Sequence, residues 1–170
     1  GHGLSIGAVL LQPASRGSVT IASADPLVAP SIQANYLSDP DGDDLRRLLH
    51  AVKLARTVMR TPPLAGYAAD DIEPAPGTPD ADLEAFVRAQ TETIYHPVGT
   101  CRMGTDGSAV VDAELRVHGI TGLRVVDASV MPTIVRGHPQ AATTMIAERA
   151  ADLIRSKPTA SDSEASTPAR

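Results

Sequence analysis

Residues 95–104 read Tyr95-His96-Pro97-Val98-Gly99-Thr100-Cys101-Arg102-Met103-Gly104. A proline directly after the histidine and glycines at 99 and 104 hold the backbone in one irregular path, so the segment reads as a glycine-bearing loop. Working outward, Asp80 begins a helix over about Ala81–Thr91, with Leu83, Phe86 and Val87 on one face. On the other side, Ala109–Val111, Leu115–Val117 and Leu123–Val126 are short β-like runs separated by Asp112, Gly119 and Gly122. Gly137-His138-Pro139 then opens a last helix, because proline's fixed φ and missing N–H suit a first-turn position. Its apolar face is expected to be Ala142, Met145, Ile146, Ala150, Leu153 and Ile154.

Further upstream, the apolar run Leu4–Leu11 and the alternating Ser18-Val19-Thr20-Ile21-Ala22, separated by Arg16-Gly17, read as an early hairpin. Pro26, Pro30 and Pro40 keep residues 25–40 extended, with Ile32 and Ala34 able to pair briefly as a strand. From Asp43 the apolar spacing becomes helical through Leu45, Leu48, Leu49, Val52, Leu54, Ala55, Val58 and Met59, and Pro62-Pro63 stops it. Pro74, Pro76, Gly77 and Pro79 make residues 64–80 a surface loop. Lys157–Arg170 is Ser, Thr, Ala, Pro and charge, a composition expected to be a disordered tail. No internal repeat is present.

The chain has 170 residues, 15 Lys plus Arg against 20 Asp plus Glu, and a formal charge of −5. That balance argues against binding a phosphate backbone. Three Tyr, one Phe and no Trp leave little for bases to stack on, so nucleic acid is not an expected partner. At 42% hydrophobic the chain can bury a core. A single cysteine, Cys101, allows a reducing compartment. No apolar run reaches the roughly 18–20 residues of a transmembrane segment, and the expected location is cytoplasmic. The chain opens on Gly1 rather than methionine, as a piece of a longer protein would.

Histidine is the side chain whose ordinary titration lies near neutral pH, so the five histidines are first candidates for proton transfer. His2, His50 and His118 read as surface or boundary residues. His96 lies in the constrained loop, and His138 sits at a helix entrance, where free N–H groups and the positive end of the helix dipole favour developing negative charge. His96, Cys101, His118 and His138 match no compact zinc spacing, so no metal is expected. Cys101 has no helix start or charge relay around it and reads as a small hydrophobe rather than a nucleophile. There is no Gly-x-Ser-x-Gly turn, no Gly-x-Gly-x-x-Gly after a strand and no Gly-x-x-x-x-Gly-Lys loop.

Four segments in order, Tyr95–Gly104, Val111–Gly119, Leu123–Pro132 and Gly137-His138-Pro139 running into Ala151-Asp152-Leu153-Ile154, closely resemble the C-terminal region of the glucose-methanol-choline (GMC) flavoprotein oxidoreductases. Leu11–Val19 and Asn35–Pro40 are similar as well, so the resemblance spans roughly residues 4–154. Within the family the wording is most like choline dehydrogenase and related alcohol dehydrogenases. The resemblance implies oxidation of a small-molecule alcohol with FAD as cofactor. It makes His96 the catalytic histidine that takes the hydroxyl proton or stabilises the alkoxide while hydride passes to flavin N5, and His138 the second member of the pair, a position filled in relatives by His or Asn. Close choline-oxidising relatives carry Asn there, so sugar-like, aryl and other primary alcohols stay open beside choline.

By the same resemblance, Asp127 and Ala128 approach the ribityl and pyrophosphate part of FAD, and Pro139 and Gln140 lie against the flavin pyrimidine edge. Read without the family, Asp127 is a turn or cap aspartate after a strand. The implied fold is α+β. Residues 1–122 are expected to be mainly an antiparallel-sheet substrate domain with flanking helices, and residues 123–156 a strand and helix returning to an FAD-binding α/β domain. The N-terminal FAD-binding half would be the missing partner.

Overall fold

A computed structural model describes residues 3–67 and 72–155. The chain divides into two compact units, Gly1–Ile94 and Tyr95–Arg170. Among the described residues the architecture is α+β, with a small antiparallel sheet and three α-helices.

In the first unit, β1 (Ser18–Thr20) pairs antiparallel with β2 (Ser31–Gln33), with Val19 opposite Ile32. This corrects the expected hairpin: Leu4–Leu11 forms no strand, and the partner of β1 follows it in sequence. The physical reason lies at residues 13–17. Ala14 N–H (2.8 Å), Ser15 N–H (2.8 Å) and Ser15 Oγ–H (2.5 Å) all donate to the Asp44 carboxylate, which draws this stretch onto a helix start. Gly17 then passes so close to β2 that a Cβ there would lie 2.9 Å from the Ala34 carbonyl oxygen and closer still to that of Gln33.

Helix α1 (Asp43–Met59) starts at Gly42, whose φ of 65° suits glycine. Gly42 has no side chain to cap the helix, so Asp39 does it: its Oδ2 accepts from Asp43 N–H at 2.6 Å and Asp44 N–H at 3.4 Å. Ser15 Oγ in turn accepts from Ser38 and Asp39 N–H, joining loop, turn and helix in one polar knot. Leu45 is buried on α1 and Leu83 and Val87 on α2 (Asp80–Gln90), and the two helices pack together. Arg56 donates to the carbonyls of Pro74 and Ala75, pinning the connecting loop. That loop also holds a 3₁₀ turn at Leu64–Gly66, local order that its proline content does not signal.

The second unit is built around Val111, Leu115, Val130, Met131, Ile146 and Ala150. The expected β-like runs appear as single bridges, Met103 to Val111, Val111 to Val117 and Arg116 to Arg124, rather than as ladders. Asp112 explains the brevity: its carboxylate accepts from the Glu114 and Arg116 N–H groups, turning the chain tightly between runs. Helix α3 (Gln140–Arg155) buries Ile146 and Ala150, while Met145 and Ile154 of the expected apolar face stay exposed. The expected tail, residues 157–170, lies outside the described residues.

Burial pushes the Asp44 carboxyl up, and hydrogen bonds from Ser15 and Ala14 together with the Arg47 charge outweigh it, leaving a value below the ordinary one. A depressed folded value means the knot's stabilisation is complete above the ordinary carboxylate value of about 3.9 and is lost as pH falls through the folded value. Asp44→Asn is expected to lower stability by about 2–3 kcal/mol at neutral pH, read by urea denaturation, with the difference from wild type shrinking in acid. Gly17→Ala is expected to separate β1 from β2, seen as loss of amide protection at Val19 and Ile32 in hydrogen exchange.

Candidate active site

His96 and His138 meet within the second unit. His96 Nε2 and His138 Nδ1 are 2.8 Å apart, in hydrogen-bond contact, with ring centroids 5.0 Å apart and planes at 76°. His96 is half-buried and His138 exposed. A bond between two imidazole nitrogens needs one proton between them, so one ring donates and the other accepts.

The loop that carries His96 is held by backbone bonds. Cys101 N–H donates to the Ser129 carbonyl at 3.0 Å, and Met103 N–H donates to the Val130 carbonyl at 2.8 Å. Gly99 crosses with φ 89°, its Cβ position 3.5 Å from the Met131 carbonyl oxygen. Tyr95, next to His96, has φ 64° and is 81% exposed, an unusual conformation for a bulky residue. The far end of the loop is clamped by Arg102, which forms a two-pronged ion pair with Asp106. The Arg102 guanidinium and the Ser108 hydroxyl and amide hold the Asp106 carboxyl far below the usual carboxylate range. His118 Nε2 lies 3.1 Å from the Gly104 carbonyl oxygen, which can only accept, so this nitrogen donates.

His138 ends a loop and directly precedes the start of α3. Thr143 N–H donates to the Pro139 carbonyl at 2.8 Å, which marks Pro139 as the residue where helical bonding begins. The N–H groups of the first turn, Gln140 among them, have no intrahelical acceptor and carry the positive end of the dipole. Pro139 is buried and Gln140 exposed. Asp127 caps the 3₁₀ turn Ala128–Val130: its Oδ1 accepts from Ser129 N–H at 2.8 Å and from Ser129 Oγ–H at 2.5 Å. The cap reading of Asp127 is thus the one its side chain displays. Ala128 is half-buried beside the core.

The structure therefore brings His96 and His138 together and sets Asp127 and Ala128 in the turn that latches the His96 loop. What the sequence reading missed is the Ser129–Cys101 and Val130–Met103 latch and the left-handed Tyr95. The Asp127-x-Ser129 pattern, an Asx-type turn, was the available signal for the first. Among the described residues, no group of three or more His, Cys, Asp and Glu could hold a metal ion, and no helix is long and apolar enough to cross a membrane.

The GMC oxidoreductase family model matches residues 13–147. The chain is 44% identical over 155 residues to an alcohol dehydrogenase [acceptor] of Pseudomonas putida, covering 91% of this chain and 28% of that protein. It is 45% identical over 157 residues to an oxygen-dependent choline dehydrogenase of Acinetobacter baumannii, covering 92% and 28%. The crystal structure of pyridoxine 4-oxidase from Mesorbium loti superposes with a TM-score of 0.80 at 37% identity, covering 88% of this chain and 29% of that one. The chain thus spans under a third of the length of these relatives, and it belongs to the GMC oxidoreductase family.

Proposed function

We propose that this chain is the histidine-bearing C-terminal part of an FAD-dependent oxidoreductase that oxidises the CH–OH group of a small-molecule alcohol to an aldehyde. The observation that carries the reading is the direct bond between His96 and His138 at the entrance of α3, inside the segment that matches the family. An alcohol losing hydride must also lose its hydroxyl proton, and a positioned imidazole is the side chain best suited to accept it near neutral pH. His96 and His138 take this role as a pair.

Bound FAD would supply the hydride acceptor, at flavin N5. The residues present fit such a group. Pro139 has no N–H and sets where α3 begins, so it is the N–H groups from Gln140 onward and the positive end of the helix dipole that would face the electron-rich pyrimidine edge. The Asp127 carboxylate is already engaged with Ser129, so Asp127 and Ala128 would meet the ribityl and pyrophosphate part through backbone N–H groups. Residues 1–122 then belong mainly to the substrate domain, and 123–156 to the FAD domain.

The share of its relatives that the chain spans, 28% for the alcohol dehydrogenase, favours a companion reading. Alone, the 170-residue chain is a substrate-side module without turnover, and it needs the dinucleotide-binding half as its partner.

In the complete enzyme, His96→Ala is expected to lower alcohol turnover about 10²–10⁴-fold, as loss of a positioned acid–base group does. Steady-state kinetics with an artificial electron acceptor measures this, and a loss below about threefold would remove His96 from the proton-transfer step.

A further inference from the structure

We propose that Tyr95 is a positioning residue for His96 and acts through its backbone: the left-handed turn at Tyr95, rather than its ring, sets the direction in which the imidazole leaves the chain. This role rests on the alcohol-oxidising reading above.

Tyr95 has φ 64°, in the left-handed region that is costly for a residue with a Cβ. Among the described residues the other left-handed non-glycines are Asn35, Leu37 and Leu115, and none of them adjoins His96 or His138. In an extended run successive side chains point to opposite sides. A left-handed residue breaks that alternation and sends the next side chain in a new direction. The two residues after Tyr95 cannot take this step. Pro97 has its φ locked near −65°, and the residue before a proline is pushed toward extended backbone, which constrains His96 as well. His96 is accordingly not left-handed. The turn falls on Tyr95, the first residue upstream that is free to make it.

Downstream, the loop is tied back by Cys101 N–H on the Ser129 carbonyl at 3.0 Å and Met103 N–H on the Val130 carbonyl at 2.8 Å. Gly99, with φ 89°, makes a second left-handed step, which glycine takes at no steric cost. Tyr95 takes its step against the preference of its side chain. A conformation of that kind persists where the surroundings over-determine it. Here they are the 2.8 Å contact of His96 Nε2 with His138 Nδ1, Pro97 and the latch. A relaxed φ at Tyr95 would redirect His96 and part the two imidazoles. This backbone angle belongs to the loop, whatever covers the tyrosine ring.

The test separates backbone from ring in the complete enzyme. The limiting rate at which a primary alcohol reduces the flavin is compared among Tyr95→Gly, Tyr95→Asn, Tyr95→Val and Tyr95→Phe. Asn and Val both lack a ring, but Asn tolerates the left-handed region and β-branched Val does not. Gly, Asn and Phe are expected within about threefold of wild type, and Val about tenfold or more slower, the rate equivalent of the added backbone cost. Gly and Asn as slow as Val, with Phe alone near wild type, would assign the role to the ring and overturn the proposal. A Val variant as fast as wild type overturns it equally. If Val fails to fold, judged by retained flavin, Gly and Asn against Phe decide the matter. A wild-type enzyme whose flavin no alcohol reduces would sink the alcohol-oxidising reading itself, whereas slow Gly and Asn variants beside an active wild type sink only the role of Tyr95.

Discussion

Two backbone hydrogen bonds, from Cys101 N–H to the Ser129 carbonyl and from Met103 N–H to the Val130 carbonyl, are the constraint on which the path of the His96 loop depends. They fasten an irregular loop to the 3₁₀ turn that Asp127 caps. The turn is anchored in turn by fully buried Val130, which packs with Val111 and Ile146. His96 and His138 are 42 residues apart in sequence, and neither lies in a helix or strand. Their meeting is a consequence of that latch, with Gly99 supplying the left-handed step the loop needs and Pro139 fixing where α3 begins.

The first unit obeys a parallel logic with a different central group. A ribbon of two three-residue strands is marginal by itself. Here both members of its Val19–Ile32 pair remain exposed. Its order derives from the Asp39–Asp44–Ser15 knot, which caps α1 and draws residues 14 and 15 against the helix start. A buried carboxylate with three donors is the kind of group whose neutralisation is felt at once, so protonating Asp44 in acid weakens this unit.

The helices were legible in the sequence because their signals are local. The spacing from Leu45 to Met59, the acidic first turns and Pro139 each mark a boundary within a residue or two. The partner of β1 was not legible. It depends on a carboxylate 29 residues away from Ser15 pulling the preceding stretch onto α1, and no window of the sequence contains both. The short strands of the second unit failed for a related reason, since Asp112 spends its carboxylate on turning the chain rather than letting a ladder run. For the site, the histidines stood out by their proline and glycine neighbours and by the family resemblance. Their atom-level pairing and the Ser129 latch depend on tertiary contacts, which composition and spacing do not encode.

The central claim is that the two histidines act on the alcohol proton as one unit. Its most direct test is the rate at which alcohol reduces the flavin in the complete enzyme, compared among His96→Ala, His138→Ala and the double variant. Groups that work as a unit lose their effect together. The account predicts a double variant about as slow as the slower single variant. Losses that multiply in the double variant would mean two independent contributions and would contradict it.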